Sequence, residues 1–248
     1  MAFPKVVVLV TGANQGIGYC IVRQLVSLGK YNVLVGARSS SKAEAAVQAL
    51  QAEGINKTTL TLVAIDVTDD RSIAAAVQTV SDQAGHLDIL INNAGLGTST
   101  AATIREQYRE IFEVNVFGVA AVIDAFLPLI RASSFSDRRV VNVTSAVGLT
   151  TMASEEGFEY NAKSYYVPDY RSSKAAVNMI TVAQSVKLAE YNIAVVAAAP
   201  GMCRTRFTGG YGMKDASEGA RVIARAATEG DPKKITGTFV ADEPHTGW

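Results

Sequence analysis

Short runs of β-branched and other apolar residues alternate along the chain with longer segments whose apolar residues recur at helical spacing. The short runs predict seven strands, at residues 5–10, 32–37, 58–65, 87–92, 139–144, 193–198 and 238–240. The longer segments predict six helices, at residues 16–28, 41–53, 70–84, 103–131, 168–190 and 215–229. The pattern is a repeated strand-helix unit.

Several strands, such as Val6-Val7-Val8-Leu9-Val10, are almost continuously apolar, which is typical of strands buried on both faces of a parallel sheet. We therefore predict an α/β doubly wound Rossmann-type fold, with a seven-stranded, mainly parallel sheet flanked by helices on both faces. No linker, repeat or low-complexity tract divides the chain, so residues 1–248 should form a single domain. Residues 150–169 break the pattern and predict a surface loop.

Composition narrows the possible partners. Lys and Arg together equal Asp and Glu at 23 each, and the charges are scattered, which disfavours a nucleic-acid partner. The apolar start of the chain contains Lys5 and runs directly into Thr11-Gly12, so it reads as a strand and not as a leader. No stretch approaches the roughly 18 uncharged apolar residues of a membrane span. We expect a cytoplasmic protein with no membrane partner.

Three glycines stand between the first strand and the first helix, in the run Thr11-Gly12-Ala13-Asn14-Gln15-Gly16-Ile17-Gly18. Glycine lets a backbone approach a pyrophosphate closely, and the following helix offers unpaired N–H groups and the positive end of its dipole. The spacing is GxxxGxG and differs from the GxGxxG of many dinucleotide-binding folds. Its position still favours a phosphate-binding turn over a plain connection.

The end of the second strand indicates which dinucleotide is bound. An acidic residue there accepts hydrogen bonds from the ribose 2′-OH of NAD and repels a 2′-phosphate. This chain has Arg38, Ser39 and Ser40, a guanidinium and two hydroxyl groups that suit a phosphate. We therefore expect NADP(H), against the alternative that Arg38 is an ordinary solvated charge.

Tyr170 and Lys174 lie four residues apart within the predicted helix 168–190, so their side chains should project from the same face. A free tyrosine titrates near about pH 10, and a neighbouring ammonium favours the phenolate and lowers that pKa. The pair suits proton transfer, although the spacing alone is common on helix surfaces.

Further motifs accompany this pair: Asn92-Asn93-Ala94-Gly95, Asn115, Ser145, and Pro200-Gly201 with Thr205. With the glycine turn, they make the chain resemble the short-chain dehydrogenase/reductase family from end to end. Within that family it is most similar to the carbonyl reductase branch. The segments that carry this similarity are the glycine turn, residues 200–205, Ser217-Glu218-Gly219-Ala220, Gly237-Thr238-Phe239-Val240 and the terminal Trp248.

The resemblance implies an NADP-dependent oxidoreductase of class EC 1.1.1.-. Ser145 would hydrogen-bond the substrate carbonyl, Tyr170 would deliver the proton, and Lys174 would also bind the nicotinamide ribose. Asn115 would hold a water of the proton relay, and Thr205 the carboxamide. The residues implied to bind NADP(H), with Asp66 and Val67 at the adenine, are Gly12, Asn14, Gln15, Gly16, Ile17, Gly18, Arg38, Ser39, Asp66, Val67, Asn93, Ala94, Gly95, Tyr170, Lys174, Pro200, Gly201 and Thr205.

Two positions depart from the carbonyl reductase pattern. Gln15 stands where NADP-preferring members of that branch often carry a Lys or Arg, so Arg38 would bear the 2′-phosphate contact alone. The gap from Ser145 to Tyr170 is longer than in most family members and shorter than the insertion of monomeric carbonyl reductases. Loops 146–169 and 202–215 should form the substrate site, and the chain would act as a monomer or a homo-oligomer.

Four aromatic residues fall in this gap: Phe158, Tyr160, Tyr165 and Tyr166. They either wall a pocket for an apolar or aromatic carbonyl or alcohol substrate, or pack the loop onto the next helix. Asp169, beside Pro168, favours helix N-terminal chemistry over contact with a substrate.

The favoured function is NADPH-dependent reduction of a ketone or aldehyde. The alternatives are a non-redox step on the same scaffold, such as an isomerisation, dehydration or pericyclic reaction, and nucleotide sensing without turnover. Both leave the Ser145, Tyr170 and Lys174 set unexplained. A serine hydrolase is disfavoured because the chain has only two histidines and Ser145 lacks the flanking glycines of a nucleophile elbow. The same scarcity of ligands predicts no bound metal.

Overall fold

The computed structural model describes residues 5–56 and 59–242. The strands of the main sheet are β1 (Val6–Val10), β2 (Tyr31–Ala37), β3 (Leu60–Ala64), β4 (Ile89–Asn92), β5 (Arg138–Val143), β6 (Ile193–Ala198) and β9 (Phe239–Val240). Two short strands, β7 (Cys203–Arg204) and β8 (Lys214–Asp215), pair with each other. The helices are α1 (Gly16–Ser27), α2 (Ser40–Ala52), α3 (Asp70–Ala84), α4 (Ile104–Phe112), α5 (Gly118–Ala132), α6 (Thr150–Ser154), α7 (Pro168–Leu188), α8 (Ala216–Thr228) and α9 (Pro232–Ile235).

The main sheet has seven strands in the order β3-β2-β1-β4-β5-β6-β9, and every neighbouring pair is parallel. This confirms the predicted fold class. The chain moves outward from β1 to β3 and then returns to place β4 on the other side of β1. Doubly wound folds bind ligands at such a switch point, beyond the carboxyl ends of the strands.

Helices cover both faces of the sheet, because the central strands carry buried apolar residues on both sides. In β1, Val8 and Val10 pack on one side with residues of α1, α2 and α8. Val7 and Leu9 pack on the other with residues of α3 and α5. The alternation follows from the two-residue period of a strand.

Three local predictions need correction. The helix expected over 103–131 is interrupted by a π turn at Glu113–Phe117, where the buried amide of Asn115 bonds to the backbone of Leu96. The irregular stretch expected over 150–169 contains α6. The pairing of β7 with β8 and the short helix α9 were not predicted, because elements this short carry no periodicity.

The segment Ile104–Ala132, which joins α4, the π turn and α5, is long and apolar enough to cross a membrane, with a mean hydropathy of 1.8. The sequence prediction overlooked this stretch. Half of its most apolar window is buried inside the protein, where α5 packs against the sheet with residues such as Phe126 and Ile130. Burial of this kind is typical of a core helix.

Candidate active site

The predicted site residues follow the carboxyl ends of successive strands. The glycine turn follows β1, Arg38 follows β2, Asp66 follows β3, and Ser145 follows β5. Residues 93–95 follow β4 and residues 200–205 follow β6. Because all these strands are parallel, the segments share one edge of the sheet.

The glycine turn is bound tightly to the segment after β4. The hydroxyl of buried Thr11 accepts the backbone N–H groups of Asn93 and Ala94, each at 3.0 Å. Nδ2 of Asn93 donates to the backbone oxygens of Thr11 at 2.9 Å and Gly12 at 3.2 Å. Gly12 has a φ of +64°, and a Cβ there would lie 2.9 Å from the Cα of Ala94. Only glycine therefore allows this close approach.

The start of α1 forms a cradle suited to an anion. Gln15 is the N-cap but makes no side-chain capping bond, and the first turn holds no acidic residue. Gly16 has a φ of +57°, and a Cβ there would meet only side-chain carbons of Thr205, at 3.7 and 3.8 Å. The first N–H groups of the helix thus lack a capping side chain, and the space beside Gly16 is open as far as Thr205.

The residues after β2 and β3 differ in the hydrogen bonds and ion pairs that they make within the protein. Arg38 is exposed and forms no ion pair within residues 5–56 and 59–242. The Ser39 hydroxyl caps α2 by accepting the N–H of Lys42 at 3.5 Å. Asp66 accepts the N–H and the hydroxyl of Thr68 at 3.0 and 2.7 Å, so its carboxylate stabilises the turn after β3. Val67 packs against Gly118.

Ser145, Tyr170 and Lys174 come together where β5 meets α7. The Ser145 hydroxyl lies close enough to the Tyr170 phenol to lower its pKa. Lys174 is 5% exposed, its Nζ donates to the backbone oxygen of Val143 at 3.0 Å, and the same atom lies 5.7 Å from the centroid of the Tyr170 ring. The helical spacing of the pair is confirmed, since both residues lie in α7.

Asn115 reaches the same region from the π turn. Its Nδ2 donates to the oxygen of Leu96 at 2.9 Å and to Oγ of Ser173 at 3.0 Å, while its Oδ1 accepts the N–H of Leu96 at 2.7 Å. A Cβ on Gly95 would lie 3.4 Å from that Oδ1 and 3.9 Å from Nζ of Lys174. The amide uses both of its protons within the protein, so only acceptor atoms of Asn115 remain for a further ligand.

The electrostatics differ from the sequence expectation. Burial raises the pKa of Tyr170, with a further contribution from Tyr165, while the Ser145 hydroxyl opposes the rise. Burial also lowers the pKa of Lys174 to about 8. In this arrangement the removal of the phenol from water dominates the pKa of Tyr170, and the lowering expected from Lys174 does not decide it.

Arg171 is a residue that the sequence reasoning missed. Although only 8% of it is exposed, it has no carboxylate partner among the described residues. Its guanidinium donates to the oxygens of Val147 at 2.9 Å and Tyr165 at 3.1 and 3.2 Å, and also to that of Tyr160. These oxygens all belong to the loop before α7, and no sequence motif marks contacts to backbone oxygens.

The aromatic residues of that loop mainly contact one another. Tyr160 meets Phe158 at a centroid distance of 6.0 Å and Tyr165 at 5.9 Å, both edge to face. Tyr166 is 78% exposed. Packing of the loop thus accounts for three of the four rings. Asp169 lies in the first turn of α7, as predicted, and accepts the N–H of Tyr170 at 2.8 Å, although the N-cap itself is Val167.

Phe207 is a second missed residue. It lies in the short 3₁₀ turn Arg206–Thr208 that follows Thr205, with its ring edge to face with Tyr170 at 5.9 Å. A Cβ on Gly97 would lie 2.7 Å from this ring, so the ring rests on the backbone of the segment after β4. Nearly half of Phe207 is exposed, which leaves an apolar surface beside the Tyr170 side chain.

The fold and this site together define a Rossmann-type α/β protein whose nucleotide cradle adjoins a Ser-Tyr-Lys group. A family profile described as short chain dehydrogenase matches residues 6–216. The chain belongs to the short-chain dehydrogenase family of oxidoreductases.

Individual relatives agree with this assignment. The chain is 54% identical to the short-chain dehydrogenase anuI of Penicillium roqueforti over 244 residues, which cover 98% of this chain and 96% of that one. It is 31% identical to carbonyl reductase [NADPH] 1 of Bos taurus, with the whole of both chains covered. The solved structure of NADPH-bound carbonyl reductase from chicken fatty liver superposes with a TM-score of 0.78 at 28% identity, covering 95% of this chain and 96% of that one.

Proposed function

We propose that the protein reduces a ketone or aldehyde with NADPH, in a reversible hydride transfer in which Tyr170 is the general acid. The convergence of Ser145 and Tyr170 beside the buried Lys174 is the observation that carries this proposal. A carbonyl oxygen placed between the two hydroxyl groups would accept a hydrogen bond from each and then the proton of Tyr170.

The residues present fit a dinucleotide with a 2′-phosphate. The glycine cradle offers N–H groups at the start of α1 without an acidic neighbour, and β2 ends in an exposed arginine with no carboxylate beside it. Gly12, Gly16, Arg38 and Thr205 would hold the phosphates and the nicotinamide end, and Asp66 and Val67 would adjoin the adenine. Lys174 would bind the nicotinamide ribose. When bound, the nicotinamide supplies or accepts the hydride.

The direction of proton transfer follows from burial. Because the pKa of Tyr170 is raised, the phenol keeps its proton at neutral pH and can give it to an oxygen that gains negative charge. Ser145 stabilises that oxygen, and Lys174 places a positive charge near the phenolate that forms. The protonated phenol is the form that reduction requires, and reduction is the activity that the name of the bovine relative states.

The proposed substrate is a small carbonyl or alcohol compound of apolar or aromatic character, held between loops 146–169 and 202–215. The exposed face of Phe207 beside Tyr170 supports this class of substrate. We further propose that residues 1–248 act as one NADP-binding domain in the cytoplasm, as a monomer or a homo-oligomer.

The test is turnover by purified protein mixed with NADPH and a panel of aromatic ketones, aldehydes and quinones, followed by the loss of reduced-nicotinamide absorbance. Replacing Tyr170 with Phe should lower kcat by about a thousandfold or more, because the proton donor is lost. The dissociation constant of NADPH, measured by nicotinamide fluorescence, should stay within about twofold.

Ser172→Ala is the matched control, because Ser172 is exposed on the same turn of α7 and should leave both quantities unchanged. Saturable NADPH binding without oxidation by any panel member would favour the non-redox or sensing functions. Full turnover by the Tyr170→Phe protein would show that the proton comes from elsewhere.

A further inference from the structure

Gly97 lies in the segment after β4, directly against the ring of Phe207. A Cβ at this position would lie 2.7 Å from two ring carbons of Phe207 and 3.3 Å from a third, and these are its three nearest atoms among the described residues. The φ of Gly97 lies outside the left-handed region, so the backbone here does not itself require glycine. The missing side chain at residue 97 therefore makes room for the ring.

The backbone of this segment is held in place by the π turn. The N–H of Leu96 donates to Oδ1 of Asn115 at 2.7 Å, and Nδ2 of Asn115 donates to the oxygen of Leu96 at 2.9 Å. Asn115 is fully buried, and its amide also donates to Oγ of Ser173 in α7 at 3.0 Å. Because Gly97 follows Leu96 directly, its backbone cannot withdraw from the ring without breaking this buried network.

The turn that carries Phe207 is anchored as well. The hydroxyl of Thr208 donates to the oxygen of Cys203 at 2.8 Å and accepts the N–H of Thr205 at 3.1 Å. These bonds fix the backbone of the 3₁₀ turn, whereas the Phe207 side chain is 46% exposed and has room to rotate toward solvent. A side chain at residue 97 would accordingly displace the ring and leave both backbones in place.

The ring that Gly97 accommodates adjoins the proposed proton donor. Its centroid lies 5.9 Å from that of the Tyr170 ring, and the two planes make an angle of 63°. This edge-to-face contact uses only part of the Phe207 ring and leaves its exposed part available to a substrate. An aryl group can lie against that surface with its carbonyl at Tyr170, because aromatic rings pair favourably in offset or edge-to-face geometry. A saturated ring of the same size is thicker and lacks this pairing.

We infer that Gly97 is a specificity-determining residue: by seating the Phe207 ring beside Tyr170, it selects carbonyl compounds that carry a flat aryl group over saturated compounds of the same size. The inference rests on the proposed function and narrows the class of substrate. Neither segment forms this wall alone, since Phe207 supplies the ring and Gly97 supplies the space that the ring occupies.

The test uses the aryl ketone that the protein reduces fastest and its ring-saturated counterpart, as acetophenone is paired with cyclohexyl methyl ketone. Comparing each variant with the wild type cancels the different intrinsic reactivity of the two ketones. Gly97→Ala and Phe207→Ala should each lower kcat/KM for the aryl ketone about fivefold, the loss expected for one aromatic pair. Both kcat/KM for the saturated ketone and the dissociation constant of NADPH should change by less than about twofold.

A double-mutant cycle tests whether the two residues act together. In a protein that already carries Phe207→Ala, Gly97→Ala should lower kcat/KM for the aryl ketone by less than about twofold further, because no ring is left to displace. Phe207→Tyr should keep the aryl preference, whereas Phe207→Leu, which is apolar but not flat, should lose it. Thr100→Ala, an exposed change in the same segment, is the control and should alter none of these quantities.

Additive losses in the cycle would show that Gly97 acts independently of Phe207 and would overturn the inference. Equal losses for the two ketones in Gly97→Ala would also overturn it, because they indicate a general disturbance of the site. Turnover whose aryl preference is the same in the wild type, Gly97→Ala and Phe207→Ala would refute the inference and leave the proposed function intact. A wild-type protein that oxidises NADPH with no ketone or aldehyde would refute the proposed function, and with it the inference.

Discussion

Burial shifts the pKa values of Tyr170 and Lys174 in opposite directions. Removal from water disfavours the charged form of each group, so the pKa of the phenol rises and that of the ammonium falls to about 8. The unfolded value for the lysine is 10.5, so between about pH 8 and 10.5 the unfolded chain binds the extra proton. The destabilisation caused by the buried ammonium is thus present below about pH 8 and is relieved as the pH rises.

The same pKa predicts how cofactor binding depends on pH. As the pH rises from 7 to 9.5, Lys174 becomes a neutral amine, and the dissociation constant of NADPH should rise about fivefold because one charge-assisted contact weakens. Tyr170 stays protonated over this range and adds no second step. Fluorescence titration of NADPH at each pH measures the effect.

Lys174→Arg is the control, because a guanidinium keeps its charge across this range. The step near pH 8 should be absent from that variant. A step of equal size in both proteins would assign the titration to a different residue.

At the scale of elements, α7 carries the proton-transfer pair and is anchored to the sheet by polar contacts. Nδ2 of Asn92 in β4 donates to Oδ1 of Asn142 in β5 at 2.9 Å, and Nδ2 of Asn142 donates to the hydroxyl of Thr181 in α7 at 3.0 Å. These residues are buried, so the bonds set the position of α7 more specifically than apolar contacts do. On its outer side, the same helix holds the preceding loop through Arg171.

The contacts of Arg171 predict a separation between substrate and cofactor effects. Arg171→Met keeps much of the side-chain volume but leaves the backbone oxygens of Val147, Tyr160 and Tyr165 without their donor. The loop should loosen, raising KM for the carbonyl substrate about tenfold with little change in NADPH affinity. Steady-state kinetics measure the first quantity and fluorescence titration the second.

Hydrogen exchange measures the effect of Arg171 on the loop before α7 directly. Hydrogen exchange of residues 150–166 should quicken in Arg171→Met and stay unchanged in Arg221→Met, an exposed arginine on α8. An unchanged KM together with faster exchange would show that the loop is outside the substrate site. Unchanged exchange would show that Arg171 does not hold the loop.

At the scale of the whole molecule, Arg139 ties the sheet to the last long helix. It is fully buried at the start of β5. Its Nη1 donates to the oxygens of Ala226 at 3.0 Å and Glu229 at 2.6 Å, its Nη2 donates to the oxygen of Gly230 at 2.8 Å, and Asp137 binds the same guanidinium. The cation thus satisfies oxygens at the carboxyl end of α8, where the helix dipole is negative.

Arg139→Met should therefore be strongly destabilising. Loss of the buried cation leaves Asp137 and three backbone oxygens without a donor, which costs about 3 kcal/mol in the free energy of unfolding. For a chain of this size, the thermal midpoint should fall by about 10 °C. Differential scanning calorimetry at one scan rate measures it.

The surface variant Arg221→Met serves as the reference and should shift the thermal midpoint by no more than about 1 °C. The folded fraction of Arg139→Met should keep the wild-type ratio of NADPH to NADH affinity, because Arg139 lies at the start of β5, at the opposite end of the strand from the candidate site. A midpoint equal to that of the wild type would mean that water replaces the guanidinium at the end of α8.

Much of the architecture followed from the sequence because its signals are local. The seven strands of the main sheet fall within two residues of their predicted bounds where the structure describes them, since each is an apolar run ended by polar or glycine residues. The π turn at Glu113–Phe117 gave no such signal, because its apolar spacing resembles that of an α-helix. It is sustained by the contact of Asn115 with Leu96, 19 residues away along the chain.

The candidate site likewise has some features that the sequence determines and others that only the tertiary structure decides. The sequence alone determined the glycine turn, the strand ends and the pairing of Tyr170 with Lys174, because each depends on residue type and spacing within one segment. The tertiary structure decided which residues surround these groups: Phe207 packs against Tyr170, and Arg171 binds the backbone of the loop before α7. It also decided that burial raises the pKa of Tyr170, since desolvation depends on every element packed around the phenol and not on its neighbours in the chain.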